Sequence, residues 1–591
     1  MAGAQSFELT TTPSRATPRT MPPEEAEETF TVDPGLHKRT LRKLDCLLLP
    51  FLALLFLFNA LDKSNVGAAG SIGNAESAHF TGDIGIDKSD LNTVVALFFA
   101  FFVSLQPLGA ALGRRYGMVA WVPTCMLLWG VSTALHAWVR HRWQLYTLRI
   151  LIGCLEVKAG FYPVTVTYLS LFYTRFEFGR RLSLFYGQAA MGGALGGIIS
   201  YLVFSHFGKK TGDAQGSSWR PWQVLFLLEG TLTMVVAVAG YFILPHSVET
   251  AWFFTPEERQ YASTRVLRDR DMQNQSAAAR QADINDEHEY DEESRGLLGS
   301  SKISNASRRD RASLDDRGVT PRDIFSTLTD PYIWHILACN ILSAIPVYAF
   351  SVFLPLVLAP VTKNTNSALV NLLTAPPHLC GAVILYFVAR YSDKHRVRIG
   401  PVLFGLAIMV TGLVIVVVLP TSWAIPRYLS LNVLLSGTYV ASPLTVAWIS
   451  GNTPSPGKRA LLLGINGWGN FAGVIAAILF RPKYAESGYI VPFWWTLASV
   501  TVSALGFLLL RRRLQAENTR RQAILSRWSE EAVALEHAEG TGPLAQDRSW
   551  AKRVIRLAKS NKRLTWLAAW LEDATQGGRE GDEKITFVYG L

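Results

Sequence analysis

The chain has 591 residues, 49% of them hydrophobic and 17% charged, with a formal net charge of +11. The charges gather at the two ends and in one central block. The basic excess falls in short clusters between apolar runs, which is the distribution of topology determinants and not of a nucleic-acid surface. The five cysteines (Cys46, Cys125, Cys154, Cys339, Cys380) lie in or at the edges of apolar runs without a CxxC, so neither a disulfide nor a metal site is expected.

In chain order, residues 1–43 are rich in Pro, Thr and Glu and have no apolar core of a signal peptide. They read as a disordered cytoplasmic segment. Six apolar runs follow, at about 44–66, 90–112, 118–139, 144–173, 180–204 and 222–244. Each is near the roughly 20 residues that a helix needs to cross the bilayer. Residues 246–321 are charged and Ser-rich, predicting a largely disordered cytoplasmic loop. It carries two Asn-x-Ser sequons (Asn274, Asn305) and "ESRGLL" (293–298), which has the spacing of an acidic-dileucine sorting signal. Six more runs lie at about 332–358, 366–390, 399–420, 422–450, 459–480 and 489–512.

The expected fold is thus an all-α integral membrane protein of twelve transmembrane helices, divided into a bundle over 44–245 and a bundle over 322–512. A 6+6 plan is the mark of transporters built from repeats. Lys38, Arg39, Arg42 and Lys43, then Arg114 and Arg115, then Lys458 and Arg459 place both termini in the cytoplasm. The tail, 513–591, includes "RSWAKRVIRLAKSNKRLTWLAAWLED" (548–573). Trp550, Val554, Leu557, Leu564 and Leu571 recur there at roughly helical spacing among seven basic residues. That pattern suits either a basic amphipathic helix on an anionic leaflet or a helix docked on the protein.

The informative stretch is "FNALDKSNVGAAG" (58–70), where Asp62 and Lys63 end an uncharged run. A charge at bilayer depth costs at least about 2.5–3.5 kcal/mol, so it is seldom carried without a reason. Arg149 in the fourth run lies at similar depth, and Glu156 is two turns further on the same face. Asp62 with Arg149 reads equally as a pin between helices and as a gate. Glu156, deeper and with no base beside it in sequence, suits the loading and release of a proton. Lys158 stands about 200° round the helix and faces elsewhere. Gln188, Glu229, Asn340, Asn371, Asn466 and Asn470 are the other polar residues in the runs. Singly each is helix–helix glue, and together they offer neutral donors to a carboxylate.

Four stretches in order resemble the major facilitator superfamily: "LDKSNVG" (61–67), "RILIGCLE" with "AGFYP" (149–163), "WQVLFLLEG" with "LPHSVETAWFFTPEER" (222–259), and "KRALLLGINGWGN" (458–470). They are most similar to its anion:cation symporters, the fungal allantoate, nicotinate and pantothenate permease-like branch. The resemblance implies two rocking six-helix bundles and proton-coupled uptake of a small organic anion. It implies that Asp62 and Glu156 carry protons, that Arg149 partners Asp62, and that Lys63, Gln188, Asn466 and Asn470 contact substrate. Lys63 replaces a frequent Arg, and "EVKAGFYP" is two residues longer than the usual pattern.

The expected partners are a small-molecule substrate, protons and membrane lipid, with no cofactor and no nucleic acid, in a monomeric carrier. The plasma membrane is the expected location, with a vacuolar-type membrane as the alternative. Export of an acidic metabolite and nutrient sensing on the same scaffold stay open as rivals. The absence of HExxH and of a Gly-rich phosphate loop argues against an enzyme and against ATP-driven pumping.

Overall fold

The structure, a computed structural model, describes residues 34–70, 80–106, 118–158, 164–165, 168–169, 171–173, 175–207, 219–266, 320–359, 367–395, 397–544, 549–560, 564–575 and 578–590. The sequons, "ESRGLL", residues 1–33 and most of the second-to-third connection lie outside them, as does the register after Lys158.

Ten helices among the described residues are long and apolar enough to cross a membrane. They are α1 (Gly35–Gly70), α3 (Val119–Trp138), α5 (Leu184–Phe207), α6 (Pro221–Ile243), α7 (Pro331–Leu358), α8 (Ala368–His395), α9 (Ile399–Val418), α10 (Ala424–Asn452), α11 (Gly457–Leu479) and α12 (Ile490–Leu525). Two shorter helices, α2 (Lys88–Ser104) and α4 (Arg142–Lys158), occupy the second and fourth places in the order. The apolar runs explain the helices: with no water in hydrocarbon, every backbone group must bond within its own segment. Phe242, Val418 and Ile425 project from this bundle as exposed apolar side chains, as a lipid-facing surface requires.

Local chemistry sets the starts. Asp330 caps α7 by accepting from the Tyr332 N–H at 2.9 Å, and Pro331 occupies the first turn, where a missing N–H is harmless. A short helix before it, Pro321–Thr329, opens with Thr320 and Asp323 bonded reciprocally as a capping box. A π turn, Leu44–Leu48, interrupts α1 near its beginning.

The end of the bundle where α1 begins and α12 finishes is called the tail end here, and the opposite end the far end. The two halves press together toward the far end. Gly67 of α1 lies against the Val352 carbonyl of α7, where a Cβ would find no room. The Asn92 amide of α2 donates to the carbonyls of Ala477 (2.7 Å) and Phe480 (2.9 Å) at the finish of α11. Asn371 and Thr374 of α8 meet Gly197 of α5.

At the tail end, ion pairs knit local structure. Arg181 grips Asp45 with 2.5 and 2.7 Å bonds, and Lys43 reaches Glu258 at 2.6 Å. Residues beyond α12 form α13 (Glu530–Glu539), α14 (Ser549–Ser560) and α15 (Thr565–Ala574). The basic stretch foreseen as one helix is therefore two. They pack on each other, and α15 docks on Pro321–Thr329, burying Ala568 and Leu571 while Leu557 and Trp566 stay exposed. The last described residues return to the bundle: Lys458 bonds Asp582 at 2.7 Å, and Asn452 accepts from the Gly590 N–H at 2.7 Å.

Candidate functional site

A cavity of about 250 Å³ lies between the halves. The first half lines it with Phe56, Asn59, Lys63, Phe102, Gln106 and Glu156, and the second with Asn340, Tyr348, Tyr439, Asn466 and Asn470. On α1, α7 and α11, and just beyond the end of α2, the cavity residue lies on the tail-end side of the contact that joins the halves: Lys63 below Gly67, Tyr348 below Val352, Asn470 below Ala477, Gln106 below Asn92. The cavity is thus sealed above by those contacts.

Adjacent residues on a helix point about 100° apart, and this separates Asp62 from Lys63. Lys63 faces the cavity. Its ammonium donates to Asn59 Oδ1 at 2.9 Å, stands 3.5 Å from Glu156 Oε2, and lies 5.0 Å from the centre of the Phe102 ring. Glu156 is 2% exposed, and among the described residues Lys63 and Asn59 are the polar side chains beside its carboxylate. The resulting acid–base pair bridges α1 and α4 in the cavity wall.

Asp62 turns instead into the first half, away from the cavity. Its Oδ2 accepts from Trp129 Nε1 on α3 at 3.0 Å and from Thr233 Oγ1 on α6 at 3.3 Å. The expected side-chain pairing of Asp62 with Arg149 gives way to a different arrangement. Arg149 donates to Asn65 Oδ1 at 2.7 Å and to the Asp62 backbone carbonyl at 3.4 Å, with its guanidinium 5.8 Å from the Phe226 ring centre. The reason is rotational. Arg149 meets the α1 face that carries Asn65 and the backbone of Asp62, while the Asp62 carboxylate points past it between α3 and α6.

Glu229 of α6, which the sequence marks only as one polar residue among several, is a third buried carboxylate, 1% exposed. Arg149 lies within electrostatic reach of Asp62, Glu156 and Glu229. The first half therefore gathers three carboxyls around two bases, all out of water or nearly so. A charge in hydrocarbon is tolerated only when it faces partners or a wet cavity, and this cluster does both.

The second half supplies neutral groups. The Asn340 amide donates to Asn466, and the Tyr348 hydroxyl donates to Asn470. Asn470 donates in turn to Gln106 Oε1 at 3.3 Å, carrying the polar network across to the first half. Gln188 does not join it: its amide turns back to the Leu184 carbonyl on its own helix. Among the seven residues singled out from sequence, Lys63, Glu156, Asn466 and Asn470 share the cavity wall, and Asp62 and Arg149 stand behind it.

Comparison with known proteins gives the wider frame. The profile of the Major Facilitator Superfamily matches residues 52–440. The chain is 28% identical over 526 residues to the major facilitator-type transporter hxnP of Emericella nidulans, covering 88% of this chain and 94% of that one. It is 26% identical over 500 residues to the high-affinity nicotinic acid transporter of Saccharomyces cerevisiae, covering 84% and 81%. Among solved structures, the E. coli xylose transporter XylE in a partially occluded inward-open conformation superposes with a TM-score of 0.51 at 15% identity, over 80% of this chain and 96% of that one. A multi-pass helical membrane protein with an internal cavity between two halves, this chain belongs to the Major Facilitator Superfamily of transporters.

Proposed function

We propose that this transporter carries a small organic anion together with protons by alternating access, with both termini in the cytoplasm and the tail end facing inward. The observation that supports it best is the Lys63–Glu156 pair in the cavity wall, opposite the amides of Asn340, Asn466 and Asn470. An incoming carboxylate competes with Glu156 for the Lys63 ammonium. Once displaced, Glu156 is a buried carboxylate that has lost its ion-pair partner, and taking up a proton relieves the cost. Substrate and proton then enter together, and release of both on the other side restores the ion pair.

Neutral amides fit the rest of the ligand, because they donate to an anion without adding charge to the carrier. The cavity of about 250 Å³ suits a single-ring acid, since an apolar cavity of about 150 Å³ already accepts benzene. The relatives include a nicotinic acid transporter, which is such a molecule. Asp62, held by Trp129 and Thr233, and Arg149, held by Asn65, form the polar core of the rocking half, in which the Asp62 carboxyl serves as a second store for the proton.

The test is uptake of labelled nicotinate, pantothenate, allantoate and sugar acids into cells expressing the protein, at pH 5 and pH 7.5, with and without a protonophore. Uptake of one acid that rises at low pH and collapses with the protonophore is expected. Uptake indifferent to both conditions would refute the proton coupling, and no uptake of any acid by protein at the surface would refute the substrate class.

A further inference from the structure

A residue of the second half that the proposed function does not use is His378. It sits on α8, is 2% exposed, and its Nδ1 is 2.7 Å from the Tyr439 hydroxyl on α10. Tyr439 occupies the break in α10 between its two helical segments, Ala424–Thr438 and Ala441–Asn452, and its ring lines the cavity. On its other side the His378 ring faces Gly193 of α5 in the opposite half, also in the cavity wall. A Cβ placed at Gly193 would stand 2.8 Å from three atoms of that ring, closer than side chains tolerate. His378 meets α5 at the cavity wall, with Thr374 and Asn371 against Gly197 further toward the far end.

We propose that His378 is a positioning residue that links closure of the far-end seal to the shape of the substrate cavity. When α5 and α8 are together, Gly193 leaves the imidazole one place to lie, and in that place Nδ1 holds the Tyr439 hydroxyl and fixes the broken turn of α10. When the halves part at the far end, Gly193 withdraws, the ring is released into a widening gap, and Tyr439 is freed. Tyr439 is then held in place only while the seal is shut, so the cavity tightens as the far end closes, which couples one to the other through two side chains and one hydrogen bond. The inference rests on the alternating-access reading.

The test is a distance measurement between spin labels on far-end loops of the two halves, at R140C and E486C, in the otherwise cysteine-free protein in lipid nanodiscs at pH 5 and pH 7.5. It needs no substrate. In the parental protein two distances are expected, the shorter one dominant. H378A and Y439F, the second removing only a hydroxyl, are expected to raise the long-distance fraction about fivefold, the lower end of the range typical of coupling between sites. H378N, which keeps a hydrogen-bonding group near Nδ1, is expected to fall between. G193A is expected to act like H378A in the parental protein, by crowding the ring, and to add nothing in the H378A background. A single parental distance at both pH values overturns alternating access and this proposal together. Two distances whose proportions none of the four variants changes, or a G193A effect that persists without the ring, overturn this proposal alone.

Discussion

The two halves share a scaffold and divide the chemistry. In the first, Asp62, Lys63, Arg149, Glu156 and Glu229 are packed around α1, with long-range partners of opposite or neutral character. In the second, the cavity wall is amide and phenol, and its buried basic residues stand at the ends, Lys458 at the tail end and Arg427 toward the far end. Charge in a low-dielectric interior is expensive and responsive to protons, whereas neutral donors are cheap and read shape. In the proposed cycle the first half changes protonation and grips the carboxylate through Lys63, and the second half reads the rest of the ligand through neutral groups.

That division can be broken directly. The largest effect is expected from Glu156→Gln, which removes the titrating group and leaves Lys63 without its ion pair. Accumulation of substrate driven by a pH gradient should fall at least tenfold, a loss of about 1.4 kcal/mol or more in driving force. Exchange of labelled for unlabelled substrate at equal pH should continue. A variant that still accumulates substrate fully would remove Glu156 from the coupling.

A mutation on the recognising side should act differently. Asn466→Ala deletes a neutral donor beside Asn340 and should raise KM about tenfold, a loss of about 1.4 kcal/mol of the kind that one hydrogen bond commands. The pH profile of uptake should keep its midpoint. If that midpoint moves with KM unchanged, the two halves are not divided as described.

Trp129→Phe sharpens the comparison by removing one of the two side-chain donors that Asp62 has among the described residues and leaving Thr233. A lost partner for a buried acceptor costs about 1–3 kcal/mol, so thermal unfolding in detergent should shift downward while KM changes little. A raised KM with unchanged unfolding would place Asp62 in substrate contact.

The smallest effect on transport is expected from the tail, where a buried charge cluster holds the last described residues in place. Glu536 is fully buried, which by itself would raise its pKa. The N–H groups of Ile585 (2.9 Å) and Gly542 (2.8 Å) and the Arg579 guanidinium (2.7 Å) outweigh burial and hold the carboxyl below its usual range. A depressed carboxyl pKa contributes stability that is present in full above the unfolded value, about 4.3, and is lost as pH falls through the lower folded value. Hydrogen exchange of residues 578–590 should accordingly stay slow from pH 7.5 to 5 and quicken below about 4, after correction for the intrinsic rate. Glu536→Gln should quicken it at every pH without altering KM.

Much of this architecture is legible in the sequence. The long apolar runs become spanning helices because hydrocarbon leaves the backbone no other choice, and Asp62, Lys63, Arg149 and Glu156 stand out because a charge inside such a run is conspicuous. What sequence does not carry is the rotation of one helix against another. Periodicity puts Arg149 and Asp62 at one depth, yet a turn of α1 about its axis sends the carboxylate to Trp129 and Thr233 and gives Glu156 to Lys63. His378 and Tyr439 are separated by sixty residues and lie in apolar surroundings with no spacing to relate them. A signal was present in retrospect: a lone His inside an apolar run is as conspicuous as a charge, and Gly193 belongs to a glycine-rich stretch that announces close approach.

A final consequence follows from the 3₁₀ turn that α11 makes at Gly467–Phe471. In a regular α-helix, residues four apart differ in direction by about 40°, so Asn466 and Asn470 would point the same way. Tightened to three residues per turn, the same four steps separate them by about 120°. Asn466 then meets Asn340 of α7, while Asn470, which also accepts from Tyr348 of α7, can reach across to Gln106 just beyond α2, although a single helix carries both. The turn also lengthens that helix by about 2.5 Å over five residues and rotates everything beyond it by about 100°. It works as the rotary joint that decides which side of the far half of α11 meets Asn92.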